Sequence, residues 1–244
     1  YLAHIYLSGD NDLVTIGNFI ADGIKGKTYK KRKKDVQIGI LLHRNIDTFT
    51  DAHPTVRKST KRLHKNYGHY SGIIVDILYD HFLAKNWANY SNVPLEEYVN
   101  SFYDSLEQHY EILPNRIQKM MPYMITDNWL LSYASIDGIS KVLSGMNRRT
   151  KNRSGMDKAI NELEEFYEEF ENEYNPVHVH SGCTMSCVGY LALPEGIEDE
   201  FSLNWLAEHG CELAQGYFIS KPTPARLFLK SKSNKSISPN VASW

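Results

Sequence analysis

The apolar positions along the first 175 residues follow the spacing of α-helices. Over 12–25, 35–51 and 95–112 they recur every three or four residues, which is typical of a helix with one buried face. Further helices are predicted over 55–66, 71–89, 115–124, 127–134, 136–147 and 155–174. No strand pattern interrupts these segments, so we predict an all-α domain, a helical bundle.

The chain changes character after Asn175-Pro176. Residues 176–228 carry glycine, cysteine and short β-like runs, and residues 229–244 are rich in Ser, Lys and Asn, a composition typical of disorder. We therefore predict a helical domain over 1–175, a different C-terminal fragment over 176–228 and a disordered tail over 229–244.

Candidate chemistry begins in the segment 71–89. Apolar residues cover nearly all sides of this helix, which predicts that it is buried. Asp76, Asp80 and His81 nevertheless lie within it. A buried carboxylate costs several kcal/mol unless it is paired or bound to metal, and adjacent carboxylate and imidazole groups suit a divalent transition metal. The alternative is a structural Asp–Arg network with one hydrogen-bonded histidine.

A second cluster lies in the helix predicted over 35–51. His43 and Asp47 are four residues apart, so they share one face. An aspartate that accepts a hydrogen bond from a metal-bound histidine is a common supporting arrangement, and Arg44 offers a planar fork for phosphate. Alternatively, Arg44 and Asp47 pair with other helices.

Two weaker candidates come earlier in the chain. Asp22 shares a face with Asn18 and lies near a helix end that opens into a basic loop, so it is either a ligand or an ordinary turn residue. His4 lies close to the start, and we interpret it as structural. Together the segments around Asp22, His43 and Asp80 supply the aspartates and histidines of a helical phosphohydrolase site, in which metal ions activate water and clamp phosphate oxygens.

Charge adds a candidate partner surface. The formal net charge is only −2, yet the run 25–34 holds seven basic residues and no acid. Such a patch favours an acidic partner through electrostatic steering, although a solvated face is the alternative. We expect a protein partner rather than nucleic acid. The candidate partner-binding residues are Lys30, Lys31, Arg32, Lys33, Arg57, Arg62, Arg148 and Arg149.

Three late cysteines give no disulfide framework. No signal peptide is recognised, and no stretch reaches the ~18 apolar residues of a membrane span. We therefore predict a cytoplasmic protein without a membrane span.

The order of these motifs resembles the bacterial acyl-carrier-protein phosphodiesterase family over about residues 1–174. The shared segments are Tyr1-Leu2-Ala3-His4, Gly17 to Asp22, Gly39 to Asp47, Asp76 to Leu83, and Leu143 to Met146 followed by Arg148-Arg149.

The resemblance implies a fold similar to HD-domain phosphohydrolases. It also implies hydrolysis of the phosphodiester between 4′-phosphopantetheine and a serine of the acidic acyl carrier protein, with a divalent cation, Mn²⁺ by preference. The catalytic residues expected from it are Asp22, His43, Asp47, Asp80 and His81, and Arg44, with its fork for phosphate, completes the candidate set. The metal ligands expected from it are Asp22, His43, Asp80 and His81. Two alternatives stay open: a phosphohydrolase for nucleotides or other small phosphodiesters, and a non-catalytic binder of the carrier.

A second resemblance covers residues 192–228. The runs Glu195 to Glu200 and Leu206 to Ala225 resemble the end of an EAL-type cyclic-di-GMP phosphodiesterase. Such an enzyme is a complete α/β barrel of about 200 residues or more, and only a final fragment fits here. We therefore predict no cyclic-di-GMP hydrolysis.

Overall fold

The computed structural model describes the backbone of residues 1–178 and the side chains of residues 1–174. The segments predicted over 176–228 and 229–244 lie outside this part, apart from the three residues that end its last helix. The resemblance over 192–228 likewise falls outside the described residues.

Residues 1–178 form helices and turns, with no strand among them, so the all-α prediction is confirmed. The α-helices are α1 (Leu2–Tyr6), α2 (Asp12–Ile20), α3 (Lys34–Ala52), α4 (Pro54–Tyr67), α5 (Ser71–Lys85), α6 (Leu95–Gln108), α7 (Asn115–Thr126), α8 (Trp129–Ser132), α9 (Ile136–Arg149), α10 (Ala159–Glu165) and α11 (Tyr167–His178). Within this part of the chain, none of the helices is both long enough and apolar enough to traverse a bilayer.

Helix α5 lies at the centre of the bundle, in contact with α1, α4, α9 and α11. Ile74, Leu78 and Phe82 are completely buried, as its all-round apolar pattern predicts. Asp80 is 2% exposed, whereas the Asp76 side chain is accessible to solvent, although burial by the surrounding protein raises the pKa of its carboxyl to about 7. The polar groups of this helix therefore have different surroundings, and only some of them need partners inside the fold.

Helix α2 ends earlier than its pattern predicts. The side chain of Asn11 accepts hydrogen bonds from the amides of Leu13 and Val14 and so caps the helix start. The helix ends at Ile20, and a 3-10 turn follows over Ala21–Gly23. Asp22 thus belongs to a turn that leads into the basic loop.

The prediction of a single helix over 155–174 is wrong. A 3-10 turn over Met156–Lys158 comes first, and helices α10 and α11 are separated at Phe166, whose backbone leaves the helical region at φ −116° and ψ 34°. The guanidinium of Arg62 lies 5.5 Å from the Phe166 ring and 4.8 Å from that of Phe170. The break thus accompanies packing on the α4 side of the bundle, a contact that helical periodicity does not encode.

Helices α2 and α3 approach so closely that their contact requires glycine. A methyl group on Gly39 would lie 2.0 Å from the Val14 carbonyl oxygen, and one on Gly17 would lie 2.4 Å from that of Val36. Both obstacles are backbone atoms, which a rotamer change cannot relieve. Because Asn18 and His43 lie close to these glycines along the two helices, the contact brings them within hydrogen-bonding distance.

Candidate metal centre

Two histidines and two aspartates meet where α1, the turn after α2, and α3 converge. The ligand atoms of His4, His43 and Asp47 all lie within 4.8 Å of one another. The two imidazole rings stack with centroids 4.1 Å apart. Asp22 joins them through Oδ1, which lies 3.1 Å from His43 Nε2. These four residues are called the His/Asp cluster below.

The His/Asp cluster is anchored in the core and open on one side. Asp47 Oδ2 lies 3.3 Å from His43 Nε2, and Asp47 Oδ1 lies 3.4 Å from His4 Nε2. The histidine side chains are 16% and 6% exposed, whereas those of Asp22 and Asp47 are 56% and 49% exposed. The imidazoles are therefore held by the fold, and the carboxylates line a face that solvent or substrate can reach.

Buried Asn18 fixes the orientation of both histidine rings. Its Nδ2 donates to the His4 carbonyl at 2.8 Å and to Ser8 Oγ at 2.9 Å. These two bonds settle which end of the amide is oxygen. Its Oδ1 then lies 3.0 Å from Nδ1 of His4 and 3.0 Å from Nδ1 of His43. Both rings consequently carry their hydrogen on Nδ1 and direct Nε2 towards the carboxylates.

This arrangement calls for a positive charge between the imidazoles and the carboxylates. In the neutral tautomer, His4 Nε2 is an electron-pair donor that faces the oxygen of Asp47. Burial lowers the pKa of His4 well below its usual value, so a proton there is unfavourable. A divalent cation bound by nitrogen and oxygen satisfies both sides, and a metal-bound histidine commonly donates its other N–H as these rings do.

The two carboxylates of the cluster differ in acidity. When Nε2 of His43 carries a proton, its hydrogen bond lowers the pKa of Asp22, against the opposing effect of burial. Burial raises the pKa of Asp47, with the charges of Asp22 and Asp51 adding to it and that of His43 opposing it. Asp22 is therefore the more firmly ionised of the pair, and Asp47 is the one that more readily holds a proton.

The Asp80 carboxylate is occupied by the first turn of α1. It accepts hydrogen bonds from the amides of Leu2 at 3.1 Å and Ala3 at 2.8 Å, and from the backbone nitrogen of Tyr1. Such an interaction caps the free N–H groups of a helix start. Because His4 lies on that same short helix, Asp80 fixes the position of His4 without joining the group formed by His4, His43 and Asp47.

His81 also lies outside that group, and both of its ring nitrogens have partners. Nδ1 lies 2.7 Å from the Tyr133 carbonyl oxygen, and Nε2 lies 2.8 Å from the Tyr167 hydroxyl. The carbonyl can only accept, so Nδ1 carries the hydrogen and Nε2 accepts from the tyrosine. Burial lowers the pKa of His81, in keeping with a neutral ring that links α5 to α8 and α11.

Arg44 holds the basic loop against α3. It donates to the carbonyls of Ile24 at 2.9 Å and Gly26 at 3.0 Å, and its guanidinium lies 5.2 Å from the Tyr29 ring. Its position on the helix keeps it beside His43, but its hydrogen bonds serve the backbone of the loop.

The candidate partner-binding residues fall into two groups. Two are held by the fold: Arg32 donates to the Ile112 carbonyl at 2.7 Å, and Arg62 makes a two-point ion pair with Glu173 at 2.6 and 2.7 Å. Arg57 is exposed and donates to the Asp51 carbonyl at 3.1 Å. The remaining side chains are exposed: Lys30, Lys31, Lys33, Arg148 and Arg149.

Sequence reasoning missed the importance of His4 and Asn18. His4 was interpreted as structural because it stands near the chain start, yet it completes the His/Asp cluster. Asn18 was noted only as a neighbour of Asp22. One signal was present: Asn18 is a polar residue on the apolar face of α2 and is completely buried, and such a group requires hydrogen-bond partners.

The comparison with protein families covers the part of the chain that contains this site. The family model for acyl carrier protein phosphodiesterase matches residues 1–179, a range that contains the whole cluster. The chain belongs to this family. The match to the acyl carrier protein phosphodiesterase family ends at residue 179, before the segment 192–228 that resembles a different family.

This chain covers nearly the whole length of its curated relatives. Acyl carrier protein phosphodiesterase of Photorhabdus laumondii is 31% identical over 172 residues, which are 70% of this chain and 87% of the relative. The proteins of the same name from Yersinia pestis and Escherichia coli O139:H28 are 29% and 30% identical, over 90% and 91% of their lengths. Among solved structures, no match was found.

Proposed function

We propose that this protein hydrolyses the phosphodiester that joins 4′-phosphopantetheine to the serine of holo acyl carrier protein, releasing apo carrier. One observation carries the proposal. Asn18 orients two imidazoles so that their Nε2 atoms face carboxylate oxygens, which prepares a site for a divalent cation in a chain of this family. The names of the relatives supply the substrate.

We further propose that His4, His43, Asp22 and Asp47 hold the metal. A bound divalent cation would lower the pKa of a water molecule and neutralise phosphate charge. Mn²⁺ suits a mixed set of imidazole and carboxylate ligands. Asp22, whose pKa is lowered, is suited to permanent ligation. Asp47 would supply a carboxylate oxygen between His4 and His43.

In our proposal, Asp80 and His81 stabilise the helices that surround this site. Asp80 holds α1 and hence His4, while His81 ties α5 to its neighbours through the Tyr133 carbonyl and the Tyr167 hydroxyl. The Asp80 carboxylate already accepts three N–H groups, so its use as a ligand would require α1 to lose its cap.

The exposed basic residues form the proposed docking surface for the carrier. Lys30, Lys31 and Lys33 lie in the loop between the turn at Asp22 and α3, so this loop adjoins the His/Asp cluster along the chain. Arg57 is exposed at the start of α4. Positive charges in these places would attract an acidic carrier and increase the rate of encounter, with a strong dependence on ionic strength. A cytoplasmic location stays a prediction.

The decisive experiment incubates holo carrier with the full chain, with Mn²⁺ or with a chelator, and follows the loss of the prosthetic group by mass. His43→Gln removes one nitrogen ligand from the cluster, and exposed His69→Gln is the matched control. We expect Mn²⁺-dependent conversion to apo carrier, lost in His43→Gln and kept in His69→Gln.

Conversion that persists in the chelator and in His43→Gln would refute the metal assignment. Hydrolysis of small phosphodiesters without any action on holo carrier would instead favour the small-substrate alternative. Metal-independent binding of the carrier without turnover would favour a non-catalytic binder.

A further inference from the structure

A surface groove lies between α4 and the start of α5, beside the end of α3. Its volume is about 330 Å³, and its lining includes Asp51, Val56, Arg57, Lys61, His64 and Gly72. Val56 is 5% exposed and provides an apolar base. A methyl group added to Gly72 would meet no heavy atom within 4 Å. The absence of a side chain at this position therefore leaves the space of the groove open.

The basic residues of α4 are divided between two faces of the helix. On one face, Lys58 lies 3.2 Å and Arg62 lies 2.6 Å from the carboxylate of Glu173, so α11 neutralises both. The other face lines the groove, and its basic residues take part in no ion pair within residues 1–174. These residues are Arg57, Lys61 and His64. This face of α4 thus keeps its positive charge for an anionic group from outside the chain.

The three basic residues of the groove form one stripe. They are spaced i, i+4 and i+7 along α4, so they share a face and extend over about 10 Å. Arg57 is fixed at the beginning of the stripe, because its Nε donates to the Asp51 carbonyl at 3.1 Å. A helix that carries carboxylates at the same intervals would present them at matching distances. The continuous charge of a nucleic acid fits less well, because the stripe is short and Asp51 adds a negative charge at its end.

The groove begins one helical turn from the His/Asp cluster. Asp47 belongs to the cluster and Asp51 to the lining of the groove, and the two are four residues apart within α3. Side chains at this spacing are neighbours on one helix face, with about 5–6 Å between their Cβ atoms. A partner seated in the groove therefore lies beside the candidate metal ligands.

We propose that this groove binds an acidic helix of the carrier protein, whose carboxylates face Arg57, Lys61 and His64. That the partner is the carrier rests on the proposed function. The lysines of the loop 25–34 attract the carrier from a distance, whereas the groove holds it in one orientation. Lys61, His64 and Gly72 are thereby partner-binding positions in addition to those of the docking surface.

The test measures binding without turnover. Fluorescently labelled apo carrier, which has no phosphodiester to cleave, is titrated with the full chain in Mn²⁺, and anisotropy gives the dissociation constant. Gly72→Phe fills the groove without a change of charge, and Lys61→Glu reverses one of its charges. The controls introduce the same side chains at exposed positions on other helices, Asn100→Phe on α6 and Lys141→Glu on α9. Urea unfolding of each variant confirms that the fold is retained.

We expect Gly72→Phe to weaken carrier binding about tenfold or more, because the ring occupies the space that the partner helix needs. Lys61→Glu should weaken it about fivefold to twentyfold, since an attraction between exposed charges becomes a repulsion. The effect of Lys61→Glu should decrease as salt is added. Asn100→Phe and Lys141→Glu should bind like wild type.

The outcomes separate this proposal from the proposed function. Groove variants that bind like their controls, or a wild type that does not bind apo carrier, would overturn the groove even where holo carrier is converted. Groove-dependent binding without conversion of holo carrier would contradict only the proposed function. Tighter binding of single-stranded DNA than of carrier, with the same sensitivity to Gly72→Phe, would show that the groove serves a nucleic acid and would also overturn the proposal.

Discussion

Replacing Asn18 by leucine tests the reasoning about the metal centre most directly. The substitution keeps the approximate volume but removes the oxygen that accepts from Nδ1 of His4 and of His43, each at 3.0 Å. The His4 carbonyl keeps a partner, because Ser8 Oγ donates to it at 2.8 Å. The expected defect is therefore two imidazole N–H groups without an acceptor.

The size of the effect follows from that count. A buried donor left without a partner costs about 1–3 kcal/mol, so two of them lower the unfolding free energy by about 2–6 kcal/mol. This is a large part of the roughly 5–15 kcal/mol that stabilises a typical domain. The rings also lose the bond that directs Nε2 towards the carboxylates, and the loss of such a supporting bond weakens metal binding about tenfold to a hundredfold.

A second buried asparagine provides the control. Asn147 accepts from Ser154 Oγ at 2.9 Å and from the Gly155 amide at 3.0 Å, and it donates to Asp157 at 2.6 Å. Asn147→Leu should destabilise the protein by a comparable amount without touching the histidines. Urea unfolding of the metal-free proteins gives the stabilities, and calorimetric titration with Mn²⁺ gives the affinities.

The two measurements together decide the matter. We expect both variants to lose stability and Asn18→Leu alone to lose Mn²⁺ affinity. If folded Asn18→Leu binds Mn²⁺ as tightly as Asn147→Leu does, Asn18 does not organise the ligands, and the argument from ring orientation is refuted.

Three further perturbations test other parts of the structure. Gly39→Ala should lower the unfolding free energy by about 3 kcal/mol, because the new methyl meets backbone atoms. The control Gly72→Ala, whose methyl meets open space, should raise the unfolding free energy by up to about 1 kcal/mol. Similar urea midpoints for the two variants would contradict the close contact of α2 and α3. The pKa of Glu173 is lowered because hydrogen bonds from Arg62 and other donors outweigh the opposing effect of burial. Its stabilisation is therefore complete above about pH 4.5 and is lost as the pH falls through the lower folded pKa. Glu173→Gln leaves Arg62 without its partner and should lower the unfolding free energy by about 3 kcal/mol at neutral pH. In that acidic range, the unfolding free energy of the variant should depend less on pH than that of the wild type. An unchanged pH profile would show that the pair adds no stability. Asp80→Asn should weaken Mn²⁺ affinity about tenfold with the metal still bound, since it loosens the cap of α1; complete loss of binding in a folded variant would show instead that Asp80 is a ligand.

Helices with one apolar face were predictable because their spacing is a local property of the sequence. The segment predicted over 35–51 is α3, Lys34–Ala52, and the buried character of α5 follows from its composition. The break at Phe166 was not predictable in this way. It involves aromatic rings packed beneath Arg62, which comes from a helix about a hundred positions earlier in the chain.

The site was predictable in part. The i, i+4 spacing of His43 and Asp47 placed them on one face, and both belong to the His/Asp cluster. The prediction that a buried Asp80 needs a partner was sound in principle, but the partners are backbone N–H groups of α1. His4 reaches the cluster through that same long-range bond, which no local pattern contains.

The Asp80–α1 contact also has a consequence for the order in which the site is assembled. Asp22, His43 and Asp47 are contributed by adjacent segments, and the α2–α3 pair that carries them forms from contacts of short sequence separation, which generally develop early in folding. Helix α5 leaves the ribosome later, so the bond that seats α1 cannot exist until then. We expect a nascent chain to assemble three of the four candidate ligands first and to acquire His4 last. The arrival of the central helix would then mark the moment at which the site becomes complete.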